Sequence, residues 1–572
     1  MIKKIFKLFK ILEIHDRKKL ITLFFLTIIA MIIEVSSIIT FLPLVSEFLE
    51  SGEKFYFLKN IIFFKGIDYI YILIFLFLSI HFFKFLYLFF FYYTQNKFIN
   101  NLSANLTVRL FNKYLYQGYE IQTNNKTSVM IRNLITETKM VCSSFVSPVF
   151  IIIIEIITIS GIVILLFFFK PDIALITGVL FFFLILFYSL SIKKHFLIWG
   201  SARQFLNNMS LKIGLNVLNG IKDIMIYSKE NFFKFKFNQN ETEFARVSKF
   251  YQTFQQLPRL VLEFIFIFFL IFLIIYLKTQ NLSSNEIIEI ASIFAISGVK
   301  IIPSASKIIG SFQMLKFGIP ALESIINEDI KSIDHYRQEH FNKCLNYNFK
   351  DSIILNNISF AYQKNNKQLI FENLNFKIEK NKIIGIFGNS GSGKSTFVDI
   401  LSGLLAPVSG SILIDGKNIG KNSKLLRSIF AYVPQNVFIL DDTIKNNIVF
   451  GENDNEIDIE RLNNAIHQSQ LKYFIESLPK GVNTIVGERG SVISGGQIQR
   501  IGIARAIYHN AEVLIFDEST NALDENTENQ IIEEIKQLKK FKTTIIISHN
   551  IKILQICDNI YELKNKTLNI KI

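Results

Sequence analysis

A glycine-rich segment at residues 384–396 has the residue types and the spacing of a phosphate-binding loop. A short apolar run leads into Gly388, the pattern G-x-x-x-x-G-K-S ends at Lys394 and Ser395, and a helix-compatible stretch follows. Glycines allow backbone N–H groups to converge on phosphate oxygens, and the positive end of the following helix dipole adds to the attraction. Lys394 can reach the terminal phosphates, and the Ser395 hydroxyl can ligate Mg²⁺. An ordinary strand–turn–helix connection has the same outline, so the rest of the chain must decide.

Two carboxylates follow an apolar run further along the chain. Residues 513–516 read Val-Leu-Ile-Phe, the pattern of a buried strand, and Asp517 and Glu518 come directly after them. Asp517 can hold the coordination shell of Mg²⁺, and Glu518 can orient and deprotonate an attacking water molecule. These two residues predict hydrolysis of a nucleotide bound at the loop.

Four more groups fit the same chemistry. Gln435 places an amide after a strand, and His549 ends another buried strand, where it can sense the γ-phosphate. The glycine turn Ser494–Gln497 opens a helix and can bind phosphate as well. The ring of Tyr362, upstream of the loop, can stack on adenine. Each signal is weak alone, but their order along the chain makes a nucleotide site the strongest prediction.

An α/β domain must position these groups. From Ser352 onward, short apolar segments alternate with helical ones, which is typical of a nucleotide-binding domain with a parallel sheet. Residues 321–350 are polar and read as a connector. We therefore predict a transmembrane domain at 1–320, a connector at 321–350 and a nucleotide-binding domain at 351–572.

The first part of the chain has the composition of a membrane protein. Half of the 572 residues are hydrophobic, 59 are Phe, only 19% are charged, and the mean hydropathy is +0.34. Six apolar runs are long enough to cross a bilayer, which predicts an all-α six-helix domain. The runs lie at about residues 21–48, 70–93, 146–169, 173–192, 257–277 and 287–309.

Basic residues set the predicted orientation. They are concentrated after the second and fourth runs, so both of these segments and the N-terminus belong in the cytoplasm. Both segments are long enough to continue the spanning helices well beyond the membrane. Residues 51–66 form an amphipathic pattern between the first two runs and are expected on the outer membrane surface, unless they are only the ends of two spans.

The net charge of +15 has two explanations. It is typical of basic loops at a membrane face, which we favour, and it would also fit nucleic-acid binding. The three cysteines are far apart in the sequence, so they indicate neither a metal site nor a disulfide framework.

Ionisable residues inside apolar runs are costly and therefore informative. Lys84, Arg259 and Lys300 lie in three different runs and are candidates for lining an anion-binding cavity. Arg259 and Glu263 are four residues apart on one helix and can neutralise each other. The two lysines have no partner on their own helix at that spacing, although long lysine chains can also extend to the membrane interface.

The motifs together resemble those of the ATP-binding cassette (ABC) transporters. The resemblance lies in a Walker A loop (Gly388–Ser395), a Q-loop (Gln435), a signature (Ser494–Gln497), a Walker B strand with Asp517 and Glu518, a D-loop (Asn521–Asp524) and a switch (His549). It implies a homodimer in which each ATP lies between the loop of one subunit and the signature of the other. A membrane domain placed before the nucleotide domain is similar to an exporter half-transporter.

The resemblance implies a set of site residues. The predicted catalytic residues are Glu518, His549 and Gln435. The predicted ligands of Mg²⁺ are Ser395, Gln435 and, through water, Asp517. The predicted ATP-binding residues are Tyr362, Gly388, Asn389, Ser390, Gly391, Ser392, Gly393, Lys394, Ser395, Thr396, Ser494, Gly495, Gly496, Gln497 and Asp524.

The whole chain further resembles flippases for lipid-linked oligosaccharides in the bacterial inner membrane, through the residues around Arg259 and Lys300, through Lys84 and through the segment at 51–66. This resemblance implies ATP-driven flipping of an amphipathic anionic lipid, a role in glycosylation, and a multi-pass inner-membrane location with a cytoplasmic nucleotide domain. Two alternatives are a lipid A-type flippase and a multidrug or peptide exporter. A soluble cassette ATPase that acts on DNA or ribosomes is a different class, and the apolar runs argue against it.

Overall fold

The computed structural model describes residues 14–39, 69–124, 126–169, 171–280, 284–328, 349–362, 369–419, 423–487, 490, 492–518 and 525–571. The chain divides into two compact units. The first comprises residues 1–116 and 125–336, and the second comprises residues 117–124 and 337–572. Residues 117–124 belong to the second unit. The sequence had placed them in the transmembrane domain.

All the secondary-structure elements in the described part of the first unit are helices. Its helices are α1 (Ile14–Ile39), α2 (Tyr69–Tyr116), α4 (Thr127–Arg132), α5 (Thr138–Val141), α6 (Ser147–Phe169), α7 (Pro171–Asn219), α8 (Ile221–Ile226), α9 (Glu230–Thr279), α10 (Ser284–Phe317) and α11 (Ile319–Asn327). The label α3 belongs to Tyr119–Asn124 of the second unit. Two π-helical turns, Asn133–Glu137 and Cys142–Val146, join α4, α5 and α6 into one continuous helical segment.

Three helices extend far beyond the thickness of a bilayer. Helices α2, α7 and α9 contain 48, 49 and 50 residues. At 1.5 Å per residue each is about 70–75 Å long, whereas the hydrocarbon core is about 30 Å thick. These helices are thus long enough for the predicted extension beyond the membrane.

Among the described residues, four helical segments are long and apolar enough to cross a membrane: 70–116, 127–164, 230–279 and 286–317. They contain the second, fifth and sixth predicted runs and most of the third. The first and fourth runs fall on α1 and α7, and residues 40–48 of the first run lie outside the described residues, as does the amphipathic segment at 51–66.

Helix α11 occupies the beginning of the segment that we expected to be a connector. Ala321, Leu322 and Ile325 are fully buried in the core of the first unit, with Leu315 and Phe145 nearby in the same cluster. The sequence suggested a polar linker because this helix is only nine residues long and its apolar face is short. Burial against the longer helices explains why it forms.

The second unit contains two sheets. Strands β1 (Ser352–Phe360), β2 (Phe371–Glu379), β4 (Ser409–Ile414) and β5 (Lys417–Asn418) form an antiparallel sheet in the order β2-β1-β4-β5. A six-stranded sheet has the order β10-β9-β3-β8-β7-β6. Its strands are β3 (Ile383–Phe387), β6 (Phe430–Val433), β7 (Val513–Asp517), β8 (Thr543–Ile547), β9 (Asn559–Lys564) and β10 (Thr567–Ile570).

All the pairs of this second sheet except β9–β10 are parallel. Its central strands are buried on both faces, as their continuous apolar sequences predicted. The helices of this unit are α12 (Lys394–Leu401), α13 (Ser423–Ile429), α14 (Ile444–Val449), α15 (Ile459–Gln468), α16 (Lys472–Glu476), α17 (Gly495–Tyr508), α18 (Glu525–Leu538) and α19 (Ile551–Leu554). Parallel strands bring their carboxyl ends to one edge, where ligands bind in open α/β sheets.

Candidate functional site

The glycine-rich loop connects β3 to α12 at the carboxyl edge of the parallel sheet. Gly391 and Gly393 have φ angles of +79° and +101°, a region that residues with a Cβ atom rarely adopt. At Gly388 a Cβ atom would lie 2.7 Å from the carbonyl oxygen of Leu563. The backbone of the loop therefore requires glycine at these positions, and its N–H groups can line a small concave surface at the start of α12.

A cavity of about 730 Å³ adjoins this loop. Many of the predicted residues line it: Ser390, Gly391, Ser392, Gly393, Lys394, Ser395, Thr396, Gln435, Asp517, Glu518 and His549. Strands β3, β6, β7 and β8 each contribute at their carboxyl ends, so these predicted residues meet at one edge of the sheet although Ser390 and His549 are 159 positions apart.

Lys394 and Ser392 present polar atoms at the loop. The Lys394 ammonium donates to the carbonyl oxygen of Gly388 at 2.6 Å and lies 3.0 Å from Nε2 of His549. The hydroxyl oxygen of Ser392 is buried and hydrogen-bonds to no group among the described residues. Because buried polar atoms are normally paired, this hydroxyl fits a loop that holds a phosphate oxygen.

The two carboxylates lie side by side after β7. Burial raises the pKa of Asp517, and the hydrogen bond from Tyr432 acts in the opposite direction. Glu518 has a φ angle of +47°, an uncommon and strained conformation for a residue with a long side chain. Its backbone N–H donates to the carbonyl oxygen of Ile547 at 2.9 Å, which fixes Glu518 against β8.

The side chain of Glu518 connects the other two predicted catalytic residues. Nε2 of Gln435 donates to one carboxylate oxygen at 2.8 Å, and Nε2 of His549 lies 3.5 Å from the other. A base must be held by its neighbours if it is to activate water in a fixed direction. The structure thus brings Gln435, Glu518 and His549 together, and their catalytic roles stay predictions.

The predicted ligands fit Mg²⁺. Ser395, Gln435 and Asp517 line one cavity and offer oxygen atoms, the ligands that this hard cation prefers. The described residues contain no group of three His, Cys, Asp or Glu side chains that could hold a metal ion alone. Mg²⁺ commonly binds through one or two protein oxygens together with substrate phosphates, so a site shared with a nucleotide suits this set.

Tyr362 lies beside the start of α12. Its hydroxyl hydrogen-bonds to the buried Thr396 at 2.9 Å, its ring packs edge-on against Phe360, and it is 42% exposed. The exposed part of the ring is available to a planar group near the loop, and stacking on adenine stays a prediction.

The signature segment forms the N-terminus of a helix, and its residues are not among those that line this cavity. Ser494 and Gln497 form a reciprocal capping box at the start of α17: the Ser494 hydroxyl accepts from the Gln497 backbone at 3.3 Å, and the Gln497 side chain accepts from Ser494 N–H at 2.8 Å. Binding of ATP by Ser494, Gly495, Gly496 and Gln497 from a second subunit stays a prediction. Asp524 lies outside the described residues.

The structure adds residues that sequence reasoning missed. Leu369, Ile370, Asn565 and Lys566 also line the cavity, and their sequence carries no motif. Tyr432 was missed as well, although its position in the strand next to β7 could have indicated that it lies near Asp517. It is paired in register with Ile515 of the parallel strand β7, which places it on the same face as Asp517 two residues later.

The three predicted cavity cations, Lys84, Lys300 and Arg259, each lie near a carboxylate of the same chain. Glu34 of α1 lies 3.2 Å from the Lys84 ammonium of α2 and 3.6 Å from the Lys300 ammonium of α10. A carboxylate on a third helix therefore contacts both lysines, and a role for them in binding an anion stays a prediction. Arg259 pairs with Glu263 at 2.7 Å on one helix, as expected.

A second carboxylate of the helical unit forms an ion pair with a lysine. Glu155 of α6 pairs with Lys307 of α10 at 2.6 Å.

The contacts of the described residues place Lys84 and Lys300 near the same carboxylate, Glu34, and place Arg259 near Glu263. Two of the three predicted cavity cations are brought together, and Arg259 is paired separately.

Two family models match the chain. The ABC transporter transmembrane region matches residues 20–298, and the ABC transporter model matches residues 371–521. Together they cover well over half of the chain. An ATP-dependent lipid A-core flippase of Idiomarina loihiensis is 40% identical over 214 residues, which are 37% of this chain and 36% of the relative.

Another relative is ABC transporter B family member 6 of Dictyostelium discoideum, 39% identical over 220 residues, which are 37% of this chain and 32% of the relative. The chain thus matches about a third to a half of the length of its curated relatives. The structure of a bacterial Atm1-family ABC exporter with ATP bound superposes with a TM-score of 0.78 at 19% identity, over 96% of this chain and 94% of that one. This similarity shows a shared fold.

Proposed function

Because the chain belongs to the ABC transporters, with a helical transmembrane region followed by an α/β ATPase domain, we propose that it uses ATP hydrolysis to move an amphipathic anionic lipid across the inner membrane. The substrate that we favour is a lipid with a pyrophosphate-linked oligosaccharide. A homodimer would supply two composite ATP sites. The observation that supports the choice of an anion is that Lys84 and Lys300, from two different helices, converge at Glu34.

Two ammonium groups on different helices lie near the carboxylate of Glu34 on a third helix. The Lys84 side chain is only 10% exposed, whereas that of Lys300 is 43% exposed. Lys84 therefore neutralises Glu34, and Lys300 remains accessible to an anionic headgroup. Because lysine gives charge without a bidentate fork, the site suits a phosphate or pyrophosphate without specifying its glycan.

The ATPase residues have separate roles in this proposal. Lys394 and the loop N–H groups bind the phosphates, and Glu518 accepts a proton from the attacking water. Gln435 and His549 hold the Glu518 carboxylate in place. Ser395, Gln435 and Asp517 would hold Mg²⁺, which neutralises charge on the transferred phosphoryl group.

The test is ATP-dependent flipping of defined lipids in proteoliposomes. We expect the parent protein to flip a pyrophosphate-linked glycolipid, and we expect Lys84→Gln combined with Lys300→Gln to lose flipping while its ATPase activity without lipid stays within about twofold of the parent. The matched control is Lys536→Gln, which removes an exposed lysine from the ATPase unit. Normal flipping by the double variant would show that the two lysines only stabilise Glu34 and would favour a multidrug or peptide exporter.

The same assay separates the two lipid substrates. Lipid A-core molecules are also anionic, and relatives carry the name lipid A-core flippase. Faster flipping of a lipid A-core molecule than of the pyrophosphate-linked glycolipid would establish that alternative. Protein recovered in the soluble fraction without detergent would contradict both.

A further inference from the structure

Tyr432 contacts the predicted magnesium residue directly. Its hydroxyl donates to Oδ2 of Asp517 at 2.9 Å, across the parallel pair β6–β7. We propose that Tyr432 is a positioning residue of the ATPase site, which orients the Asp517 carboxylate for Mg²⁺. This inference rests on the ATPase chemistry of the proposed function and is independent of the transported substrate.

The arrangement of the strands gives the contact its precision. Tyr432 is in register with Ile515, and Asp517 is the second residue after Ile515, so the two side chains leave the same face of the sheet as diagonal neighbours. Val433, the next residue, points to the opposite face and is fully buried in the core there. The strand therefore cannot slip without exposing Val433, and the phenol is held at a fixed place beside the carboxylate.

The hydrogen bond holds the Asp517 carboxylate in one orientation. Asp517 is only 9% exposed, and its Oδ2 accepts from the phenol at 2.9 Å. Asp517 lines the same cavity as Ser395 and Gln435, so an oriented carboxylate suits a site that these three residues share.

In this contact the phenol of Tyr432 is the hydrogen-bond donor and the carboxylate of Asp517 is the acceptor. A protonated hydroxyl on a carboxylate that holds a metal ion is the usual form of outer-sphere support, and the loss of such a partner typically weakens metal affinity about 10- to 100-fold.

The test compares Tyr432→Phe with the parent in detergent. The probe is Mn²⁺ in place of Mg²⁺, followed by electron paramagnetic resonance with a non-hydrolysable ATP analogue present. We expect the half-saturating Mn²⁺ concentration to rise roughly tenfold, while binding of the analogue in EDTA and the thermal midpoint stay unchanged. Tyr473→Phe, which alters a tyrosine that is 81% exposed, is the matched control and should bind Mn²⁺ like the parent.

A second comparison separates positioning from general damage. If Tyr432 acts through Asp517, then Tyr432→Phe should change the Mn²⁺ affinity of an Asp517→Asn protein by less than about twofold. Unchanged Mn²⁺ binding in the single variant would overturn the inference, and so would an equal loss of analogue binding in EDTA. Absence of nucleotide-dependent Mn²⁺ binding in the parent would instead contradict the ATPase site itself.

Discussion

Replacing Glu518 with Gln tests the general base with little change of shape. Glutamine keeps an oxygen that can accept the hydrogen bond from Gln435, now 2.8 Å from the carboxylate, and it keeps the volume of the side chain. The negative charge and the proton-accepting oxygen are lost. The contact with Ile547 through the backbone of residue 518 is unaffected.

The size of the effect follows from the role of this carboxylate. Loss of a positioned general base slows a reaction about 10²- to 10⁴-fold, which corresponds to roughly 3–5 kcal/mol of transition-state stabilisation at 1.36 kcal/mol per tenfold change. Binding of ATP should persist, because Lys394 and the loop remain intact. We therefore expect Glu518→Gln to bind ATP with the parental affinity and to hydrolyse it at no more than about 1% of the parental rate.

The assay is phosphate release by the purified full chain, with ATP binding measured separately on the same sample. The control is Glu476→Gln, which removes a carboxylate that is 58% exposed and 4.0 Å from Lys472, because an exposed ion pair of this kind contributes little. Hydrolysis by Glu518→Gln at the parental rate would refute the role assigned to this residue. Equal losses of binding and hydrolysis would show that the substitution had disrupted the loop.

Two further predictions concern assembly and pH. A mixture of Ser494→Arg and Lys394→Ala proteins should hydrolyse ATP faster than either protein alone, because a mixed dimer keeps one intact composite site. ATPase activity in a verified monomer would contradict a site shared between two subunits. Burial, together with the charge of Asp517, raises the pKa of Asp399 to about 6. Because the folded state holds this proton more tightly than the unfolded state, the free energy of unfolding falls as pH rises from about 4 to about 6 and stays at the lower value above that range. Asp399→Asn should therefore raise the apparent thermal stability by ~1–2 kcal/mol at pH 7.5 and by less at pH 5, and an equal gain at both pH values would show that the charge of Asp399 is not the cause.

The sequence by itself determined the ATPase motifs and the helical nature of the first unit. The glycine loop is local, because positive φ angles and the absence of Cβ atoms depend on the residues themselves. The length and hydropathy of the apolar runs likewise depend only on neighbouring residues. The order of Gln435, Asp517, Glu518 and His549 at strand ends was sufficient to predict that they meet, since parallel strands end at one edge.

Only the tertiary structure decided which groups pair between distant elements. Glu34 reaches Lys84 and Lys300 from a third helix, and helix periodicity constrains neighbours at i±3 and i±4 but not the packing of separate helices. The contact between Tyr432 and Asp517 likewise depends on which strands are adjacent and in which register, and no local pattern fixes the order of strands in a parallel sheet. The burial of α11 has the same physical cause, because a short apolar face becomes a core element only when longer helices cover it.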